Sequence, residues 1–167
     1  MIPVDAQTMR DTMRYWVSGV SIVTTQHEGQ RGGMTVSAFT SISVEPPQIL
    51  ICLNKGISSL PLLQASGAFA VNILAAHQLY LSDLFGGRVP LPEGADRFEG
   101  LTLKTAVTGA PILTESLGYL DCRVKQQFDG ETHWVIIGEV VATATHNMVP
   151  FPLVYYNRKY RALDSCD

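Results

Sequence analysis

The chain has 167 residues, of which 46% are hydrophobic and only 16% are charged, and its formal net charge at pH 7 is −3. That length and composition predict a single domain, spanning residues 1–167, with a sizeable hydrophobic core. The acidic balance, with a pI near 5.8, excludes an electrostatic case for binding nucleic acid or an anionic membrane surface. No apolar run approaches the roughly 18 residues of a membrane span, and the first residues lack a signal-peptide pattern, so we expect a cytoplasmic protein.

The cysteines and the mean hydropathy add two expectations. Cys52, Cys122 and Cys166 are far apart and form no CxxC pair, which favours reduced thiols that serve mostly as small core residues. The positive mean hydropathy of +0.14 points to some apolar surface that a second subunit covers.

The first predicted element is an amphipathic helix over residues 5–16, capped by Asp5, with Met9, Met13 and Trp16 in one stripe. A strand follows over residues 19–25. The glycine-rich segment 29–33 then predicts a flexible hairpin connection.

The stretch from Gly33 to Val44 alternates with a period of two, which predicts one continuous strand. One face is apolar and is interrupted by Thr40, and the other carries small hydroxyls and is interrupted by Phe39. The apolar residues are Met34, Val36, Ala38, Ile42 and Val44, and the hydroxyl residues are Thr35, Ser37, Ser41 and Ser43. Small uncharged hydroxyls indicate a face against which another molecule lies.

The prolines in Glu45-Pro46-Pro47 end that strand. An apolar strand over residues 48–53 then leads into the loop Asn54–Ser59, ahead of a predicted helix. An amide, an ammonium, a flexible glycine and two hydroxyls at a helix start suit an anion. The alternative is an ordinary helix cap by Ser58 or Ser59.

The remaining pattern predicts seven or eight strands against two or three helices, which is typical of a small closed barrel with helices plugging its ends. The next elements are a helix over 60–66 closed by Gly67, a strand over 68–74 containing Asn72, and a helix over 76–85 ended by Gly86 and Gly87. A surface excursion over 88–100 follows, and then short strands at 101–104 and after Pro111. The chain ends with a long hairpin of 118–129 and 133–146 and a last strand over 151–156 before a basic, aromatic tail.

Several chemistries lack the residues that they require. The four histidines, His27, His77, His133 and His146, have no ligand spacing to a cysteine or carboxylate, so no metal site is expected. No nucleophile elbow and no electropositive cysteine is present. The absence of a GxGxxG motif after a strand excludes a Rossmann dinucleotide site. These exclusions favour a bound cofactor that carries the difficult chemistry itself.

A flat heteroaromatic ring with a phosphate tail fits the remaining features. The ring would lie against the small face of the predicted central strand, where Ser37 and Ala38 let backbone N–H groups approach its edge. The phosphate would lie at the loop Asn54–Ser59.

Five segments in matching order then identify a family. The runs GVSIVTT, GMTVSAFTSISVEPPQILICLN, FAVNIL, GETHWVIIGEV and PLVYYNRKY, within a similarity from about Met9 to Leu163, resemble the flavin reductase-like family. Its members include the reductase components of two-component flavin monooxygenases, such as 4-hydroxyphenylacetate 3-monooxygenase reductases. The resemblance implies a mainly β, FMN-binding split barrel, Greek-key-like and six-stranded, with a few flanking helices. It also implies a homodimer that reduces FMN or FAD with NADH or NADPH for a partner monooxygenase.

The resemblance also implies which residues form the site. The flavin ring and ribityl chain are expected along Thr35, Val36, Ser37, Ala38 and Thr40, the phosphate at Asn54, Lys55, Ser58 and Ser59, and the border at Phe85 and Gly86. The family has a Gly-Asp-His or Gly-Thr-His turn near the nicotinamide. Here the turn reads Gly130-Glu131-Thr132-His133, so the histidine is kept but one residue is added. His133 is the catalytic candidate, expected to contact the nicotinamide dinucleotide from a site separate from the flavin loop.

Two points stay open at the level of sequence. The end of the chain either touches the dinucleotide through one residue or forms only an amphipathic strand and tail; its candidates are Tyr155, Tyr156, Arg158, Lys159, Tyr160 and Arg161, of which Tyr156 is taken as cofactor-binding. The chain is either a flavin reductase, a reductase of the same fold that acts on another acceptor such as a corrinoid, or a flavin-binding redox protein without nicotinamide turnover.

Overall fold

A computed structural model describes residues 3–146 and 151–163, and Cys166 lies outside them. The helices are α1 (Ala6–Met13), α2 (Leu60–Ser66) and α3 (Leu79–Phe85), with a 3-10 turn at Ala76–Gln78 before α3. The strands are β1 (Ser18–Gly19), β2 (Ser21–His27), β3 (Gln30–Val36), β4 (Phe39–Val44), β5 (Pro47–Asn54), β6 (Ala68–Ile73), β7 (Leu103–Lys104), β8 (Ile112–Leu113), β9 (Gly118–Gly130), β10 (His133–Thr145), β11 (Leu153–Tyr156) and β12 (Lys159–Ala162). Within the described residues, every helix is too short or too polar to cross a membrane.

Seven antiparallel strands form one sheet in the order β3-β2-β6-β9-β10-β5-β4. Its two edge strands, β3 and β4, are consecutive in the chain, and the Cys52 N–H on β5 donates to the Ala38 carbonyl between them over 2.9 Å. The edges therefore meet and the sheet closes on itself, which confirms the predicted mainly β barrel. Only residues 37–38 separate β3 from β4, so these two strands follow one another along the same side of the barrel. If they are counted as one, six strands surround the core. Smaller sheets, β1-β11-β12 and β7-β8, lie beside the barrel.

Alternation along the strands fills the barrel. Ile49, Ile51 and Leu53 of β5 are buried, as is Phe69 of β6. Gly138 lies beside that ring, and a Cβ added there would be 2.6 Å from the Phe69 Cζ. The glycine is therefore required by a close approach inside the core.

A second apolar cluster lies between α3 and the barrel, and it holds the segment 88–100. Phe98 in that segment is only 3% exposed and packs edge-to-face on Phe85, with ring centroids 5.0 Å apart. The segment is a surface excursion as predicted, but this phenylalanine anchors it.

The prediction of one continuous strand from Gly33 to Val44 is wrong. The strand breaks at residues 37–38, and β4 continues on the far edge of the sheet. A register shift between Ser41 and Ser43 turns the apolar residues outward, so Val44 is 86% exposed. One extra residue in a strand is enough to exchange its two faces, because side chains alternate with a period of two.

Two connections also differ from the sequence predictions. The hairpin turn before β3 is only Glu28-Gly29, both with positive φ, and Gly32 and Gly33 lie inside β3. The basic tail contains a strand, β12, which pairs with β11 through a turn at Asn157-Arg158, again with positive φ. Both turns have two residues with left-handed backbone, as tight hairpins require.

Other boundaries agree with the sequence. The Asp5 carboxylate caps α1 by accepting from the Gln7 and Thr8 N–H groups, although the helix ends at Met13, three residues before Trp16. Helix α2 has the predicted bounds, and Gly67 follows it at a φ of 63°. The long hairpin of β9 and β10 turns at residues 131–132 as expected.

Candidate functional site

The outer face of β3 forms the first part of the site. Met34 and Val36 point into the core, so Thr35 and Ser37 point outward, where they line a cavity of about 250 Å³ together with Gly86. A Cβ on Gly86 would lie 2.8 Å from the Ser82 carbonyl and 3.6 Å from the Thr35 Oγ1. This side of the cavity is thus made of small side chains and backbone.

A tyrosine hydroxyl closes the other side of this cavity. Tyr160 of β12 shares a hydrogen bond of 2.9 Å with Ser82, accepts one of 2.7 Å from Arg88 and donates one of 3.2 Å to Asp83. Burial raises the pKa of the Tyr160 hydroxyl, and the hydrogen bond to Asp83 raises the pKa of Arg88. Both groups therefore keep their protons at neutral pH.

Sequence reasoning missed most of this wall. Ser82, Asp83 and Arg88 have no motif of their own, and only the pairing of β11 with β12 brings Tyr160 to them. Of the tail candidates, Tyr155 and Tyr160 line the cavity, whereas Tyr156 is not in its wall. Tyr156 is half-buried on β11.

A larger cavity, of about 480 Å³, lies at the other end of β3 and includes the predicted phosphate residues Ser58 and Ser59 in its wall. Ser59 occupies the N-cap position of α2 but makes no side-chain cap hydrogen bond. Its hydroxyl donates instead to the Gly33 carbonyl over 3.3 Å. The ordinary-cap alternative is therefore wrong for Ser59.

Close packing explains the glycines of this wall. A Cβ on Gly32 would lie 2.9 Å from the Ser59 Cβ, and one on Gly33 would lie 2.6 Å from the Phe85 Cε1. Phe85 is itself only 4% exposed. The Phe85 ring therefore supports the cavity wall from the core side and is not itself open to a ligand.

Arginines supply the positive charge of the larger cavity. Arg31 forms an ion pair with Asp96 and lies 5.2 Å from the centroid of the Phe98 ring. Arg97 donates a hydrogen bond to the Leu84 carbonyl. No sequence motif marks these two arginines, because they come from separate segments that meet only in the fold.

Lys55 lies in a different neighbourhood from the two serines. Its ammonium donates to the Asp129 carboxylate over 2.6 Å and lies 5.1 Å from the centroid of the Trp134 ring. The hydrogen bond from Lys55 lowers the pKa of Asp129. The predicted phosphate loop is therefore divided, with its hydroxyls at the larger cavity and its cation at the tip of the β9–β10 hairpin.

His133 is directly opposite Asn54 in the pairing of β10 with β5. The Lys55 N–H donates to the Thr132 carbonyl over 3.1 Å, and the Thr132 hydroxyl contacts the His133 Nδ1 at 2.8 Å. The Asn54 side chain closes its own loop by accepting from the Gly56 N–H over 2.8 Å. His133 therefore lies next to the loop Asn54–Ser59. The expectation that its site is separate from the flavin loop is wrong.

The other predicted residues are exposed or offer only backbone. Ala38 and Thr40 are exposed beside the strand break. The Val36 side chain is 5% exposed, so it can meet a ligand only through its main chain. Asn72 is buried; its amide donates to the Ile22 carbonyl and accepts from the Leu113 N–H.

The thiols and the metal ligands contribute no further chemistry. Burial raises the pKa of Cys122 to about 12 and also raises that of Cys52, so both thiols are poor nucleophiles. Among residues 3–146 and 151–163, no group of three or more metal-ligating side chains comes together. What remains is a cleft along β3 that has small side chains on one side, with Arg88 at one end and Arg31 and Arg97 at the other. Such a cleft fits a planar ring carrying a phosphate tail.

Comparison with known proteins is consistent with this geometry. The model of the flavin reductase like domain family matches residues 13–164. The FMN reductase (NADH) RutF of Escherichia coli (strain 55989 / EAEC) is 39% identical over 160 residues, covering 96% of this chain and 95% of the relative. Nitrilotriacetate monooxygenase component B from Mycobacterium thermoresistibile has a TM-score of 0.87 at 34% identity, covering 95% of this chain and 86% of that one. The NADH:FAD oxidoreductase SgcE6 of Streptomyces globisporus C-1027 has a TM-score of 0.88 at 26% identity, covering 99% and 97%.

Proposed function

Because the chain belongs to the flavin reductase-like domain family, and is thus an NAD(P)H-dependent flavin oxidoreductase, we propose that it reduces free FMN or FAD with NADH and supplies the reduced flavin to a partner monooxygenase. The name of the RutF relatives supports NADH as the donor. The similarity to a monooxygenase component supports the partner.

The outward face of β3 is the observation that carries the proposal. We assign the flavin ring and ribityl chain to Thr35, Ser37, Ala38 and Thr40 and to the main chain of Val36. The phosphate is assigned to Asn54, Lys55, Ser58 and Ser59, with Phe85 and Gly86 as the border. His133 and Tyr156 are proposed to contact the nicotinamide dinucleotide.

A bound flavin supplies the hydride-accepting ring, so the reaction needs no acid or base from the chain. The residues have to hold two rings within about 3–3.5 Å of each other, aligned and shielded from water. The small wall of Thr35, Ser37 and Gly86 leaves room for this stacking, and the Tyr160 hydroxyl limits its far side.

A cytoplasmic homodimer, with residues 1–167 acting as a single domain, is part of the same proposal. Helix α1 has no buried residue within the chain, and the apolar side chains of Met9, Met13 and Trp16 are 55%, 48% and 69% exposed. Such a stripe is typical of a surface that a second copy covers.

The test is a steady-state assay of NADH and NADPH oxidation with free FMN, free FAD or neither. We expect oxidation that saturates with free flavin and is faster with NADH. Oxidation that requires another acceptor, such as a corrinoid, would contradict the proposal. Tight flavin binding with negligible NADH consumption would contradict it as well.

A further inference from the structure

We propose that Arg88 stabilises the negative charge that the flavin ring acquires when it accepts the hydride, so that this side chain raises the reduction potential of the bound flavin. The inference rests on the proposed function, because it takes the ring to lie in the smaller cavity, at Thr35 and Ser37. It gives a role in the reaction to a residue that the ring assignment leaves out.

The charge follows from the reaction itself. A hydride, which is one proton with two electrons, leaves C4 of the nicotinamide and forms a bond to N5 of the flavin. The nicotinamide ring becomes a cation, and the flavin ring, which was neutral, gains one negative charge in its pyrimidine half. A protein cation near that half lowers the energy of the product and of the transition state that leads to it.

Arg88 is placed to supply that cation. Among the described residues that line the smaller cavity, Arg88 alone carries a formal charge, and the other side chains are apolar or carry neutral hydroxyls. The Arg88 side chain is 55% exposed. A ring in the cavity would cover part of that surface, and the loss of water there would strengthen the interaction between the two charges.

The end of α3 explains how the chain brings this arginine to the cavity. Gly87 has a φ of 74°, which reverses the chain after the helix. The Arg88 N–H then donates to the Asp83 carbonyl over 2.9 Å, so Arg88 folds back over the last turn of α3. Gly86, directly before the reversal, lines the same cavity.

Hydrogen bonds hold the guanidinium in that position. Its Nη1 donates to the Asp83 carboxylate over 2.8 Å and to the Tyr160 hydroxyl over 2.7 Å. Within the described residues both side-chain hydrogen bonds of Arg88 use Nη1, so Nη2 and Nε remain as donors for a ligand. Asp83 does not belong to the described cavity wall, so a ring there meets the guanidinium and not the carboxylate.

The alternative is that this cluster only fastens β12 to α3. Tyr160 of β12 shares a hydrogen bond of 2.9 Å with Ser82 and donates one of 3.2 Å to Asp83, both on α3. A fastening role predicts lost thermal stability upon substitution and equal changes in affinity for oxidised and reduced flavin. The affinities of the two redox states therefore distinguish the two roles.

The experiment measures dissociation constants of oxidised FMN, and of FMN reduced anaerobically with dithionite, for the full chain, Arg88→Gln and Arg88→Lys. Arg123→Gln, which changes an exposed arginine on β9, is the matched control and should change neither constant. We expect Arg88→Gln to weaken reduced FMN about tenfold more than oxidised FMN. That difference corresponds to a two-electron potential of the bound flavin about 30 mV lower. Arg88→Lys keeps the charge and should restore part of the loss.

The pH provides a second readout of the same effect. When the pH falls low enough for the reduced ring to take up a proton, the ring no longer carries the negative charge. The wild type and Arg88→Gln should then no longer differ in their preference between the two redox states. A difference that persists in the protonated state would assign Arg88 to a purely structural role.

A second variant changes the charge in the opposite direction. Asp83→Asn keeps the size of the side chain but removes the carboxylate that offsets the guanidinium, so reduced FMN should bind a few-fold tighter relative to oxidised FMN. Equal changes for the two redox states in Arg88→Gln and Asp83→Asn, or shifts of the same sign in both variants, would overturn the inference. Chemical reduction needs no NADH, so these outcomes are separate from failure of the proposed function, in which NADH oxidation would not depend on flavin.

Discussion

Polar side chains in two regions of this barrel differ in burial and in hydrogen bonding. On β2 and β6, Thr24 and Asn72 are completely buried, and Asn72 donates to the Ile22 carbonyl and the Thr24 hydroxyl while it accepts from the Leu113 N–H. Ser37, in the break between β3 and β4, is exposed, and so is Thr40 at the start of β4.

The comparison shows that residue type does not distinguish a structural polar group from a ligand-binding one. The buried set has its hydrogen-bonding capacity engaged inside the chain, so it contributes to stability. The exposed set remains available to a ligand. A substitution in the first set should therefore change unfolding, and one in the second should change binding.

The largest expected effect is on the buried set. Asn72→Leu leaves the Leu113 N–H and the Ile22 carbonyl without their side-chain partner, and we expect it to lower the free energy of unfolding by about 2–4 kcal/mol. Urea titration measures the loss, with Thr40→Val as the exposed control that should stay within about 0.5 kcal/mol. The flavin dissociation constant of the folded variant should not change, and a weakened flavin complex would break the comparison.

The next effect concerns the tip of the β9–β10 hairpin. His133→Ala should raise the KM for NADH several-fold to about a hundredfold, since a neutral hydrogen bond contributes about 1 kcal/mol and a charged one up to about 3. Thr132→Ala is the control, because it removes the hydroxyl beside the His133 Nδ1 but keeps the ring.

The same variant decides which ligand the imidazole contacts. Asn54 lies opposite His133, so the flavin phosphate and the dinucleotide are competing candidates. We expect the flavin dissociation constant to move by less than about threefold. Weakened flavin binding with unchanged NADH kinetics would assign the histidine to the phosphate.

A structural feature of this chain can be predicted from the sequence where neighbouring residues determine it. The caps at Asp5 and Gly67, the bounds of α2 and the long hairpin follow from neighbouring residues, and all were predicted. The break at residues 37–38 was not, because the alternation continues across it and only the bulge near Ser43 shows where the faces exchange.

The candidate site shows the same limit. The hydroxyl run and the loop after β5 are contiguous in sequence, so they were found. Arg31, Arg88 and Arg97 were missed, because each acquires its role from a partner more than four residues away in the chain or from a cavity wall. Lys55 was found, but its pairing with Asp129, 74 residues later, was not.

That pairing gives a smaller prediction. Lys55→Ala should weaken FMN binding by about 1–2 kcal/mol. The affinity for riboflavin, which lacks the phosphate, should not change. Asp129→Asn should tighten FMN a few-fold, because the ammonium no longer has a competing carboxylate. Isothermal titration with both ligands measures these changes.

The pH dependence provides a control on the same pair. The pKa of Asp129 is lowered by Lys55, so the ion pair is complete above the ordinary carboxyl range and is lost only as the pH falls through the lowered value. Asp129 should thus stay ionised from about pH 5 to 8, whereas the phosphate of FMN takes its second negative charge near pH 6. If the phosphate lies at Lys55, the gain in FMN affinity from Asp129→Asn should grow as the pH rises through about 6. A gain that does not change with pH, or equal losses for FMN and riboflavin in Lys55→Ala, would show that the phosphate lies elsewhere.

The central claim is that the exposed backbone at the strand break receives the flavin ring, and Ala38→Leu tests it most directly. Ala38 is exposed, so three added carbons should not overpack the core but should obstruct a ring that approaches the main chain. The measurement is a flavin titration of the variant beside the melting temperature of the protein without flavin. We predict a loss of flavin affinity of about tenfold or more with an unchanged melting temperature. Undiminished flavin affinity in a folded variant would contradict the account.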